Sequence, residues 1–247
     1  MALYFGQPGR TGPGSTQLPT ATALPVATQT AAPTAPPAAS TPAALASPRA
    51  FPDSRAKLPP GTYIAGAPFP LQVSLTIQDA DWWTWTDGVG SDAFAAYRLS
   101  PDPPLGHGFV FDVPDRVYTD PCDSTAGFTD LDGTVEDFVS AMRAQPLGSS
   151  SEPVSVTIDG YSGQYVDLIR NQAGASCGTY NRWPSSKGSR QALVGEHDQL
   201  WVLDVDGVLL VIDVFSFQET TAEMLANVRQ LVESVDIEPL PVATPTP

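Results

Sequence analysis

The chain has 247 residues, with 12 Lys and Arg against 27 Asp and Glu and a formal net charge of −15. Only Arg10 and Arg49 among the bases, and none of the acids, precede residue 51, so the remainder sets ten bases against 27 acids. Such a body repels phosphate backbones and anionic surfaces, which argues against nucleic acid as a partner and against any membrane contact except through an element outside this chain.

In chain order, Met1 to Arg10 lacks the basic and apolar regions of a signal peptide, and no 18-residue apolar run follows, so a targeting element is expected upstream. Residues 11–50 are about two-thirds Pro, Thr and Ala. Without periodic large apolar side chains this segment buries too little surface to offset its ordering entropy. Residues 1–57 are therefore read as a disordered stalk, 58–238 as one folded domain, and 239–247, of stalk-like composition, as a disordered tail. A Thr/Ser/Pro/Ala tract beside a compact domain is the usual make-up of a wall-spanning spacer.

Leu71, Val73, Leu75 and Ile77 alternate with polar residues, the period of a half-buried strand. Asp79-Ala80-Asp81 breaks the pattern before Trp82, Trp83 and Trp85. Strands are predicted at Phe94–Leu99, Phe109–Val113 and Arg116–Thr119. A helix starts at Asp132 or Thr134, with Val135, Phe138, Val139 and Met142 as its apolar stripe and Pro146-Leu147-Gly148 as its stop. Strands at Val154–Ile158 and Gln164–Ile169 precede a polar loop holding Cys177 and Trp183. Leu200–Val205 and Val208–Phe215 flank Asp206-Gly207, a dipeptide suited to a type I′ hairpin turn. A second helix is capped by Thr220 and Glu223, with Met224, Leu225, Val228, Leu231 and Val232 facing inward, and Val235–Ile237 returns as an edge strand. Frequent hairpins with two helices read as an α+β fold, an antiparallel sheet packed by two main helices.

Cys122 and Cys177 are the only cysteines. Both lie in polar, loop-like surroundings, unlike inert buried thiols, and are read as a disulfide, which places the domain in an oxidising compartment. Their spacing excludes a CxxC redox pair, and His107 and His197 are too distant to complete a zinc set.

Two segments imitate the strand–Asp-x-Asp-Gly signature of haloacid-dehalogenase phosphatases, Asp130-Leu131-Asp132-Gly133-Thr134 and Asp204-Val205-Asp206-Gly207-Val208. No lysine follows Lys187 to serve that chemistry, so both are read as turns and caps. Neither has the length of an EF-hand loop. An irregular calcium site on Asp120, Asp123, Asp130 and Asp132 is the alternative to plain solvated acids, and no cofactor is expected. His107 and His197 read as exposed loop residues, with no Gly-x-Ser-x-Gly elbow for either to serve. Strand alternation sends Trp82 and Trp83 to opposite faces. Trp82, Trp83 and Trp85 therefore read either as packing beneath the 101–105 loop or as an aromatic platform for a glycan or a protein partner.

The runs Val73 to Trp85, Tyr118-Thr119-Asp120-Pro121-Cys122, Val156 to Gly163 and Leu200 to Gly207, with the last helix ending Val232-Glu233-Ser234-Val235, resemble a group of secreted or membrane-anchored bacterial domains. The resemblance implies a PsbP/Mog1-like fold, a sheet sandwiched by helices, behind a transmembrane helix and a Pro/Thr linker. It implies no catalytic residues. In place of the group's usual Pro-Asp-Gly-Trp turn stands Asp79-Ala80-Asp81-Trp82. The expected function is a non-catalytic extracytoplasmic binding or sensor module, lipoprotein-like in its surface display. A secreted hydrolase with dispersed acids and a structural spacer are the alternatives.

Overall fold

The computed structural model describes residues 47–85, 89–99, 106–146, 148–170, 177, 180–186, 188–217 and 220–240. The stalk to residue 46, the tail beyond 240 and the 101–105 loop lie outside them. The first half of the chain forms β1 (Arg49–Ala50), β2 (Lys57–Leu58), β3 (Gly61–Ala65), β4 (Leu71–Ile77), β5 (Trp82–Thr84), β6 (Ala93–Leu99), β7 (Gly106–Asp112), β8 (Arg116–Tyr118), β9 (Phe128–Asp130) and α1 (Val135–Ala144). The second half forms β10 (Gly148–Ser150), β11 (Val154–Ile158), β12 (Tyr161–Arg170), β13 (Tyr180–Ser185), β14 (Gly188–Ala192), β15 (His197–Val205), β16 (Val208–Ser216), α2 (Ala222–Glu233) and β17 (Asp236–Pro239).

The α+β reading is corrected: 52% of the described residues are in strands and 13% in helices, and there are four sheets among them. The large sheet has the order β10-β12-β15-β16-β7-β6-β5-β2, with β11 beside β12. A second sheet, β1-β3-β4-β17, closes one of its faces, where a helical layer was expected. The alternation in β4 drives this arrangement. Leu71, Val73, Leu75 and Ile77 are all buried and meet Phe94, Phe109, Phe111, Leu210 and Ile212 of the large sheet. Two inner faces interdigitating in this way make the core of a β-sandwich. The second helix, α2, adds Val228, Leu231 and Val232 to the same core.

On the opposite face of the large sheet α1 lays Val135, Phe138, Val139 and Met142 over Val166, Leu168, Leu200 and Val202. Its cap is as expected: Thr134 Oγ1 accepts from the Asp137 N–H at 3.2 Å. In α2 the cap shifts by one residue. Thr221 Oγ1 accepts from the Met224 N–H, while Thr220 Oγ1 takes the Phe217 N–H, and Met224 and Leu225 are only half-buried. The Asp206-Gly207 hairpin has the positive φ at both turn residues, 52° and 87°, that a type I′ turn demands.

The folded part also extends ahead of residue 58. Arg49–Ala50 pairs with Tyr63–Ile64, Phe51 is buried, and the Ala56 N–H donates to Thr84 Oγ1 at 2.7 Å. The supposed polar loop around Trp183 is the hairpin β13–β14, with a register shift between Asn181 and Trp183, and the Trp183 ring is fully buried.

Candidate functional site

The sequences of β6 and β7 are lopsided. Phe94, Ala96, Phe109 and Phe111 turn into the sandwich core, whereas Ala93, Ala95, Gly108 and Val110 face the other way, as alternation requires. Ala93, Ala95 and Val110 on that second face line a cavity of about 480 Å³, within the size range of small-molecule sites. Trp85, Tyr97, Phe215 and Phe217 are its aromatic walls, and Arg55, Arg98, Ser189, Arg190, Gln191 and Glu196 line it as well. Trp85 stands edge-on to Tyr97 at 5.5 Å and to Phe215 at 6.1 Å, and is 49% exposed at the mouth. Arg55 donates to Tyr97 Oη at 2.9 Å beside it. Gly108 is required here, because a Cβ at that position would fall 2.5 Å from both the Ala96 carbonyl oxygen and Phe215 Cζ.

Beyond the aromatic walls the same sheet face carries a buried polar seam. Asp112, Asp213 and Asp198 interrupt β7, β16 and β15 where an apolar residue would otherwise sit. The hairpin β13–β14 covers the seam and supplies the cations. Arg190 donates through Nε to Asp213 at 2.5 Å, and through Nη2 to Glu196 at 2.6 Å and Asp198 at 2.7 Å. Arg182 also pairs with Asp198. Trp183 Nε1 donates to Asp112 Oδ2 at 2.9 Å. Buried charges persist only with such partners.

These surroundings divide the acids. Burial works to raise the pKa of Asp198, but the Arg182 and Arg190 guanidiniums outweigh it and hold the carboxyl below its ordinary value. For Asp213 burial wins in part over Arg190 and pushes it up to about 6; for Glu196 it reaches about 8. Asp112 is raised well above the carboxylate range, by burial first. Glu196 and Asp213 thus bind protons more tightly folded than unfolded. Their contribution to stability is complete below their unfolded pKa values and is lost as pH rises through about 6 and then about 8. The melting temperature is expected to fall between about pH 5 and about pH 8.5, and the fall should be smaller in Glu196→Gln. A melting temperature that holds or rises over that range would contradict this assignment.

The sequence-derived candidates are distributed differently. Trp82 is buried in the core, donating to Asp79 Oδ1 at 2.7 Å and packing against His107 and Phe109. Trp83 is half-buried beneath the Arg55 guanidinium, and of the three tryptophans only Trp85 lines the cavity. Cys122 and Cys177 are joined by a disulfide, with Cα atoms 5.1 Å apart. The bridge ties the loop after β8 to the segment before β13, where Pro121 O also accepts from the Asn181 N–H at 2.8 Å.

The calcium set does not assemble. Asp120 accepts from the Cys122 N–H, Asp123 from the Thr125 N–H and hydroxyl, and Asp132 from the Thr134 N–H and hydroxyl, each closing its own turn. Asp130 is exposed in β9, and among the described residues no group of three His, Cys, Asp or Glu could hold a metal. Asp204 likewise closes a turn, accepting from the Gly207 N–H at 2.7 Å.

Neither histidine is in a loop. His107 lies in β7, buried against Trp82, and burial followed by the nearby Arg98 lowers its pKa to about 4. His197 lies in β15, on the sheet face away from Asp198, with Nε2 2.8 Å from Asp167 Oδ1.

Sequence reasoning missed Asp112, Asp198, Asp213, Arg182, Arg190 and Glu196. The signal was there in Val110-Phe111-Asp112-Val113 and Val211-Ile212-Asp213-Val214. A lone carboxylate inside an apolar strand needs a buried partner.

No family model matches the chain, and no curated protein matches it. Three of the solved structures similar to it are the following. LpqN, involved in cell envelope biogenesis of Mycobacterium tuberculosis, is 12% identical over 75% of this chain and 91% of its own, with a TM-score of 0.35. PA94 from Pseudomonas aeruginosa, a protein of unknown function, is 16% identical over 70% and 92%, with a TM-score of 0.32. The cyanobacterial PsbP of Synechocystis sp. PCC 6803 is 12% identical over 75% and 93%, with a TM-score of 0.36.

Proposed function

We propose that this chain is a non-catalytic extracytoplasmic binding domain, displayed on its Pro/Thr/Ala-rich stalk, that takes a small apolar ligand in the cavity between Trp85, Tyr97, Phe215 and Phe217. The cavity carries the reading. The opposite face of β6 and β7 packs Phe94, Phe109 and Phe111 into the sandwich core, whereas here Ala93, Ala95 and Val110 line about 480 Å³ behind an exposed tryptophan. A preformed apolar hollow with a few convergent polar groups is the common form of a small-molecule site.

The placement outside the cytoplasm is supported by the Cys122–Cys177 disulfide, since cytosolic reductants keep such pairs open. None of the described helices is long and apolar enough to cross a membrane.

The non-catalytic part is supported by how the reactive groups are occupied. The His107 ring lies across the sheet against Trp82, Ser189 Oγ is 2.6 Å from Tyr118 Oη, and Glu196, Asp198 and Asp213 are bound to arginine. A base beside a positioned nucleophile, which a hydrolase of the serine type needs, is not assembled from these groups.

Ala95→Phe puts a ring into the space without disturbing the core face of β6. Wild-type protein is expected to bind the neutral probe N-phenyl-1-naphthylamine at one saturable site with quenching of Trp85 fluorescence. In Ala95→Phe affinity should drop at least about tenfold, which is about 1.4 kcal/mol. Unsaturable binding, or equal binding by the variant, would remove the cavity from the account.

A further inference from the structure

We propose that the ligand of this cavity carries a carboxylate on an apolar body, and that Arg55 at the mouth binds that carboxylate. The proposal rests on reading the cavity as a binding site and names what that site selects. Three arginines line the cavity, Arg55, Arg98 and Arg190. Arg190 is matched by Asp213, Glu196 and Asp198, and Arg98 by Asp79. Arg55 pairs with no acid among the described residues, in a chain whose acids outnumber its bases 27 to 12. Arg49 and Arg229 are alike in this, but neither lines the cavity.

Though unmatched in charge, Arg55 is held in place. Its Nη2 donates to Tyr97 Oη at 2.9 Å, and its Cζ lies 5.8 Å from the centre of the Trp83 ring, within cation–π range. Both partners are neutral, so the positive charge stays uncompensated. A guanidinium carries its N–H donors in a planar fork, and the bond to Tyr97 takes one of them. That fork suits the two oxygens of a carboxylate, and holding it beforehand lowers the ordering cost of the pair. Arg55 is exposed, unlike Arg190, so a ligand at the mouth can reach its guanidinium.

The β6–β7 ladder sets the direction of the apolar body. Tyr97 stands opposite Gly108 and Ala93 opposite Asp112, four residues further along, which is about 13 Å. Between these pairs Ala95 faces Val110, and both line the cavity. A ligand anchored by its carboxylate at Arg55 lays its apolar body along this floor. The reversed pose would bring the carboxylate to the carboxyl of Asp112, with Arg190 already matched by three acids. At physiological salt, surface charges more than about 8 Å away are largely screened, so contact with Arg55 outweighs the net charge of the chain.

Two probes of nearly equal shape test this, 2-naphthoate and 2-acetylnaphthalene, titrated by isothermal calorimetry into the intact chain at low salt. At about pH 7 the first is an anion and the second is neutral. Wild-type protein is expected to bind the carboxylate about fivefold more tightly than the ketone, equivalent to about 1 kcal/mol and at the upper end for an exposed pair. Added NaCl should shrink that preference, and Arg55→Gln should abolish it. Arg143→Gln removes the same charge from α1, away from the cavity, and should keep it. Equal binding of the two probes by the wild type, an unchanged preference in Arg55→Gln, or an equal loss in Arg143→Gln overturns the role of Arg55 while leaving the cavity a binding site. If neither probe binds, the reading of the cavity falls, and this one with it. The wild-type comparison at low and high salt decides the matter even where a variant fails to fold.

Discussion

Replacing Arg190 with alanine is expected to destabilise the domain by about 3–5 kcal/mol, the usual cost of removing one member of a buried ion pair. Arg190 holds Asp213, Glu196 and Asp198 at once, from a hairpin whose other cation, Arg182, reaches only Asp198. Without it, carboxyls on two strands and a turn lose the guanidinium that they share. Arg190→Lys should recover only part of the loss, because an ammonium cannot present the planar fork that meets two oxygens along one edge and a third along the other. Arg143→Ala, which breaks a pair with the largely exposed Glu152, is the control and should cost little. Urea unfolding followed by far-ultraviolet circular dichroism gives the comparison. A loss for Arg190→Ala no larger than for Arg143→Ala would show that the seam does not hold the hairpin in place.

Opening the Cys122–Cys177 bridge has the second large effect. For a sequence separation of 55 the chain-entropy model gives about 4 kcal/mol. The bridge also has a local consequence, since it anchors the segment entering β13, the strand that bears Arg182 and Trp183. Cys122→Ser with Cys177→Ser should therefore lower the urea midpoint strongly. Combined with Arg190→Ala the losses should be less than additive, because both changes release the same hairpin. Strict additivity would mean that bridge and ion cluster act on separate parts of the fold.

Legibility in the sequence followed the physics of each element. In β4 and α1 a single face is buried, so alternation and a 3.6-residue stripe marked both, down to the four buried residues of α1. The Asp206-Gly207 turn was legible because only residues tolerant of positive φ fit it. The fold class was misjudged because the pairing of β1 and β17 with β3 and β4 is long-range, and nothing local announces a second sheet. The β13–β14 hairpin was missed for a related reason. Arg182, Trp183 and Pro184 break every periodic pattern, yet the Arg182 and Trp183 side chains are held by Asp198 and Asp112 from distant strands.

The candidate site was half visible. Three tryptophans in four positions stood out, of which Trp85 lines the cavity, and alternation divides Trp82 from Trp83. It could not reveal the cavity, whose floor is small: Ala93, Ala95 and Val110 leave no distinctive mark in a hydrophobic pattern. The disulfide was legible from the loop-like setting of its two cysteines.

The central claim is that the small-residue face of β6 and β7 is where this domain binds its ligand. Amide chemical-shift mapping by two-dimensional nuclear magnetic resonance, with ¹⁵N-labelled oxidised protein titrated with 2-acetylnaphthalene, tests it most directly. Saturable shifts should cluster at Ala95, Gly106, Gly108, Ser189 and the Trp85 indole N–H, and leave His197 and Asp167 on the opposite face unmoved. Shifts centred on the His197 face, or spread over the surface without saturation, would contradict it.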